Sequence, residues 1–217
     1  MTLIGMLSSP YLRRVAISLS ELGVDFEHAR VSVFADFDVF RSMNPVVRAP
    51  TLILDDGTLL MDSNVIIEHF ERAAVPGRSL WPRDEPSRIR CAQALGLALS
   101  ACDKAVQLVY ERELRPVEKQ YGDWAQRVTR QVTAACQLLE EKFNRVDLWL
   151  ASDRLTQAGL TLAVVFTFIR HRVADTLADA RLPNLHAFCD EAEALAVFRR
   201  WPHPNPHAPL AAAPLSP

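Results

Sequence analysis

Residues 7–14, L-S-S-P-Y-L-R-R, stand between a short apolar run, T-L-I-G-M (2–6), and an amphipathic segment, R-R-V-A-I-S-L-S-E-L-G (13–23). A strand candidate here hands over to a helix through two serines and a proline. Ser before Pro is a favoured helix start: the hydroxyl accepts a first-turn N–H, and proline gives up an N–H that has no partner there anyway. The same place puts a hydroxyl at the positive end of a helix dipole, where an anion is stabilised. Capping and chemistry are therefore both open at Ser9. The rest of the chain has to choose.

Working outward, the helix carries apolar residues at Leu12, Val15, Ala16, Leu19 and Leu22 and stops at Gly23. D-F-E-H-A-R-V-S-V (25–33) reads as a second strand, followed by an irregular segment. A-P-T-L-I-L-D-D-G-T-L-L-M (49–61) is a hairpin, two apolar runs around Asp56-Gly57. A closing helix spans 64–73 with Ser63 at its start and Val65, Ile66, His69 and Phe70 on one stripe. Strand, helix, strand, hairpin, helix calls for a mixed sheet with helices packed on it.

The segment 73–86 carries Pro76, Gly77, Pro82 and Pro86 and reads as a linker. It sets a first domain at 1–75, a linker at 76–86 and a second domain at 87–200. Beyond it strand signals stop. One helix ends before Pro116; a second begins at Asp123 as its cap; a third, 156–178, opens apolar all round, as a central buried helix does. A fourth, 184–198, is capped by Asn184 after Pro183. Residues 201–217 hold six of the fourteen prolines and read as a frayed or draped tail.

The 217 residues are 49% hydrophobic and 23% charged, an ordinary soluble composition. A net charge of −2 gives no reason to expect nucleic acid or an anionic membrane as partner. No apolar run approaches the roughly 20 residues of a membrane span. The first residues lack the basic region of a secretory signal, so the expected location is cytoplasmic. Cys91, Cys102, Cys136 and Cys189 form no C-x-x-C pair and read as buried apolar residues. No metal site is expected, since no His or Cys pair has ligand spacing. His28 and His69 read as core-edge residues, and His203 and His207 fall in the tail.

Two landmarks narrow the reading. S-P-Y-L (9–12) occupies the strand-to-helix corner where a thioredoxin fold of the glutaredoxin type carries C-P-Y-C. In N-P-V-V-R-A-P-T-L-I-L (44–54), Ala49-Pro50 precedes a strand where such folds hold a cis-proline. With D-D-G-T-L-L-M-D-S-N-V-I-I-E-H-F-E (55–71) and R-L-P-N-L-H-A-F (181–188), the chain over about residues 2–200 closely resembles the cytosolic glutathione transferase superfamily, in its bacterial serine-type form. The resemblance implies an α/β thioredoxin-like N-terminal domain plus an all-α helical-bundle C-terminal domain, and a homodimer. It implies glutathione as co-substrate, with no metal, and a small hydrophobic electrophile as the second substrate.

Carried over residue by residue, the resemblance makes Ser9 the hydroxyl that serves the glutathione thiol, counted five before Arg14 of the Arg-Val pair. Ala49, before Pro50, would bind the cysteinyl backbone. Asp62 and Ser63 would bind the γ-glutamyl end, and Arg48 the glycine carboxylate. The physics agrees: a thiol of pKa about 8.5 is ionised more readily beside a hydroxyl donor and a helix N-terminus. Alternatives on the same scaffold are a non-catalytic glutathione-binding or regulatory protein and a glutathione-dependent thiol–disulfide reductase. The chain departs from the family pattern twice: Val47 replaces a customary glycine, and Thr156-Gln157-Ala158-Gly159 lacks the Asp that completes a capping box. The missing partner and a helical glycine are each expected to cost about 1 kcal/mol.

Overall fold

The computed structural model describes residues 1–151 and 153–204. Among them the first-domain elements are β1 (Thr2–Ile4), α1 (Pro10–Leu22), β2 (Glu27–Ala29), α2 (Phe37–Met43), β3 (Thr51–Ile53), β4 (Leu59–Met61) and α3 (Ser63–Arg72). The sheet runs β2-β1-β3-β4, with β1 parallel to β2 and antiparallel to β3. This is the thioredoxin-like arrangement that the order of elements requires. Its core joins Leu3 and Leu52 of the sheet to Leu12, Val15, Ala16 and Leu19 of α1 and Ile66 and Ile67 of α3.

Several local expectations change. The second strand is confined to Glu27–Ala29, since beyond it the backbone turns at Ser32. The irregular segment holds α2, of which only Phe40 is buried. On α3 the buried face is Ile66 and Ile67, while Val65 and His69 stand exposed.

Among the described residues the chain divides into two compact units, Met1–Ser79 with 200–204, and Leu80–Arg199. The second unit is helical: α4 (Glu85–Val109), which ends in a π-turn at Tyr110–Leu114, α5 (Gly122–Lys142), α6 (Arg145–Leu148), a small hairpin of β5 (Trp149–Ala151) and β6 (Arg154–Leu155), α7 (Gln157–Arg172), α8 (Pro183–Glu193) and α9 (Ala196–Arg200). α7 is buried almost throughout and packs on α4 and α8. α5 begins one residue before Asp123, with Tyr121 as its cap position. α8 begins at Pro183 rather than behind an Asn184 cap. Its first N–H groups, of Asn184 and Leu185, donate to the two carboxylate oxygens of Glu140 on α5 at 2.9 and 2.8 Å.

The start of α7 shows why the capping Asp is dispensable. Thr156 Oγ1 accepts from the Gly159 N–H at 3.0 Å, as a cap should. The Thr156 N–H, which the Asp would have satisfied, donates instead to the Leu148 carbonyl at 2.9 Å. That carbonyl comes so close that a Cβ on residue 159 would lie 2.2 Å from its oxygen. Gly159 is thus required by packing. The expected loss of a reciprocal partner does not occur.

Candidate active site

Strand register brings three separated segments together. Ile4 pairs with Thr51, and Thr51 with Met61. The chain therefore leaves β1, enters β3 and leaves β4 at one end of the sheet. At a strand spacing of about 4.8 Å these exits span roughly 10 Å, the length of three extended residues. Ser9, the Arg48–Pro50 loop and Asp62-Ser63 all belong to this edge.

At the first exit, Ser9 caps α1: its Oγ accepts from the Leu12 N–H at 3.4 Å, and Pro10 occupies the first helical position. An accepting hydroxyl keeps its own proton to donate. The Ser9 N–H donates to the Met6 carbonyl at 2.9 Å, closing the turn between β1 and α1. Gly5 makes that turn possible, with φ at +140° and a position where a Cβ would press on Leu12 and lie 3.1 Å from the Ala49 Cβ. The 49–50 loop therefore sits directly against the β1–α1 corner.

The second segment contains a cis peptide between Ala49 and Pro50. Asn44 organises the loop. Its Nδ2 donates to Thr51 Oγ1 at 2.8 Å, and its Oδ1 accepts from the Val46 N–H at 3.0 Å. Thr51 Oγ1 in turn donates to the Arg48 carbonyl at 2.7 Å. Within this turn Val47 has φ of +51°, a left-handed conformation that suits the family's glycine and crowds a β-branched side chain.

At the third exit Asp62 caps α3, accepting from the Asn64 N–H at 2.9 Å with its own φ at +72°. Its other oxygen pairs with Arg48 at 3.0 Å. Partial burial works to raise the Asp62 carboxyl. The Asn64 N–H, the Arg48 guanidinium and the charge of Arg14 outweigh it and hold the group below the usual carboxylate range. Ser63 is only 2% exposed, and its Oγ accepts from Arg14 Nη1 at 2.9 Å. Arg14, 1% exposed, also donates to Asn64 Oδ1 at 2.8 Å.

All six expected site residues thus lie along one sheet edge, and one pairing was not foreseen. Arg48 and Asp62, expected at opposite ends of a tripeptide, touch each other. In the sequence Arg14 serves only as a marker for counting; its burial beneath Ser63 depends on the fold. His28 was read as a core-edge residue; its Nε2 meets the Gly5 carbonyl at 2.9 Å.

Residues 3–78 match the family described as glutathione S-transferase, N-terminal domain. The first unit thus carries a glutathione S-transferase N-terminal domain, and the chain as a whole is similar to members of the cytosolic glutathione S-transferase superfamily. It is 27% identical over 172 residues to the uncharacterized GST-like protein YibF of Escherichia coli K12, covering 79% of this chain and 83% of YibF. Against glutathione S-transferase GstA of Escherichia coli O157:H7 it is 26% identical over 176 residues, with the same coverage. A glutathione transferase family member from Pseudomonas fluorescens Pf-5, solved with bound glutathione, superposes with a TM-score of 0.78 at 27% identity over 94% of this chain and 98% of that one. The same bacterium's family member was also solved with S-(propanoic acid)-glutathione. The glutathione S-transferase fold accordingly places the β1–α1 corner, the cis-proline loop and the start of α3 on one edge.

Proposed function

We propose that this protein is a serine-type glutathione transferase of the cytoplasm, acting as a homodimer. The observation that carries this reading is the single sheet edge on which Ser9, the cis-proline loop and Asp62-Ser63 stand abreast. Glutathione lies along that edge. The Ala49 backbone holds its cysteinyl residue, and the start of α3 holds its γ-glutamyl carboxylate, with Ser63 fixed by Arg14. Asp62, kept ionised, takes the γ-glutamyl ammonium. Arg48 leaves Asp62 to meet the glycine carboxylate.

Ser9 donates its hydroxyl proton to the glutathione sulfur while still accepting from Leu12, and α1 adds its positive end. Both favour the thiolate, the nucleophilic form. The thiolate then attacks an electrophilic carbon of a small hydrophobic substrate. A carbon–sulfur bond forms as a leaving group departs with its electron pair, or as an activated double bond accepts the pair and then a proton. The neighbour solved with a propanoic-acid thioether of glutathione supports this product class.

A reductase would need a protein thiol in reach of the ligand. Cys91, Cys102, Cys136 and Cys189 are all buried in the helical unit, and burial pushes Cys136 and Cys189 up to about 12. This favours the transferase over thiol–disulfide exchange. Calorimetric titration of glutathione into wild type and Asp62→Ala tests the reading. Micromolar-to-millimolar binding that is lost in the variant supports it, and turnover with a panel of electrophiles separates an enzyme from a binding protein. No binding by the wild type contradicts it.

A further inference from the structure

The chain returns to the first unit at Arg200, and Trp201 packs against that unit's core. Its indole stacks on Phe26 with ring centroids 5.2 Å apart. Nε1 donates to Ser20 Oγ at 2.8 Å, and its carbonyl accepts from the buried Arg13 Nε at 2.7 Å. Arg13 and Ser20 are both on α1, the helix that Ser9 caps. The indole also meets His28 edge-on at 5.7 Å.

His28 carries the connection onward. A carbonyl can only accept, so the Nε2 that meets the Gly5 oxygen holds the ring proton and donates. Gly5 is the residue at which β1 turns toward Ser9, and its N–H donates to Ala29 at 3.0 Å. Its φ of +140°, and a position where even a Cβ would lie 3.1 Å from the Ala49 Cβ, leave the turn little room to shift without moving the cis-proline loop. One side chain, far from the rest of its unit in sequence, thus backs the ring that fixes the corner, and ties down the helix that begins there.

We propose that Trp201 is a positioning residue for the glutathione corner, acting through His28 on Gly5. The inference rests on the glutathione reading above and extends it to a residue far away in sequence. Its partners Arg13, Ser20, Phe26 and His28 are none of the residues that would hold the ligand, so its effect is on geometry.

The test uses the full chain with Trp201→Leu, Trp201→Phe and His28→Leu. Glutathione binding is read by calorimetry, and hydrogen exchange is followed at the Gly5, Ser9 and Phe40 amides. Trp201→Leu is expected to weaken glutathione about tenfold, or 1.4 kcal/mol, with faster exchange at Gly5 and Ser9 and none at Phe40. Trp201→Phe keeps a ring on Phe26 and beside His28 and is expected to stay within about threefold of wild type, or 0.7 kcal/mol. The loss in the Trp201→Leu/His28→Leu double variant should be no larger than in the worse single one. Unchanged affinity in Trp201→Leu overturns the proposal, as does exchange that quickens equally at Phe40. If wild type binds no glutathione, the functional reading falls and the exchange pattern alone decides. Selective loosening at Gly5 and Ser9 keeps Trp201 as the positioning residue of that corner; uniform loosening or none discards it.

Discussion

The starts of α3 and α7 solve the same problem with opposite materials. Each has a side-chain cap over otherwise unpartnered N–H groups. At α7 the cap is neutral and buried, and a passing backbone carbonyl finishes the work, so that nothing is left for a ligand. At α3 the cap is a half-exposed carboxylate on strained backbone, backed from below by a buried arginine. The first start is sealed by packing. The second keeps charge at the surface, at the edge where two other segments converge. A helix terminus closed by packing and the one to which we assign a ligand therefore differ in what lies around the cap more than in the cap itself.

The largest effect is expected at the sealed start. Gly159→Ala sets a methyl against the Leu148 carbonyl, which is backbone and cannot swing aside. A loss of about 3 kcal/mol or more should follow, visible in chemical denaturation of the helical unit. If the variant melts like wild type, the two helix starts are less different than they look. Next comes Arg14→Met beneath the open start. It removes the guanidinium from Ser63 and Asn64 and should cost about 2 kcal/mol of stability, while also weakening glutathione. Equal binding by this variant would mean that Ser63 needs no support.

Asp62→Asn keeps the cap shape and removes the charge. Glutathione affinity should fall about tenfold or more, the loss of one charge-assisted bond. It also has a pH signature. The folded carboxyl lies below its unfolded value of about 3.9, so its contribution is complete above that value and fades as pH falls through the folded one. Acid unfolding below about pH 4 should therefore be shallower in Asp62→Asn, and an unchanged acid limb would assign that limb to other carboxylates. The smallest change is Val47→Gly. Relief of a positive φ, less the entropy that glycine adds to the unfolded chain, should raise stability by about 1 kcal/mol or less.

Much of the open edge was legible in the sequence, because its signals are local. Ser-Pro at a helix start, Asp56-Gly57 in a hairpin and Asp-Ser before an apolar stripe each have a short-range cause. What was hidden depends on residues distant in sequence. The Leu148 carbonyl turns Gly159 from a liability into a requirement. Glu140 caps α8 from another helix, so Asn184 was a natural but mistaken choice. α2 buries only Phe40 and lacks a side-chain cap bond, leaving too little periodicity to find it. Trp201 lies in a proline-rich stretch whose composition reads as tail, while its partners are residues 13, 20, 26 and 28. The contact between Arg48 and Asp62 likewise needed the fold to bring two loops together.

The central claim is that Ser9 lowers the ionisation point of a thiol brought by glutathione. The most direct measurement is the pH titration of bound glutathione's thiolate absorbance in the ultraviolet, for wild type and Ser9→Ala at saturating ligand. The bound thiol should ionise clearly below the roughly 8.5 of a free cysteine in wild type and return toward that value in Ser9→Ala, with affinity little changed. Identical titrations in the two proteins would contradict the account and leave Ser9 as a helix cap alone.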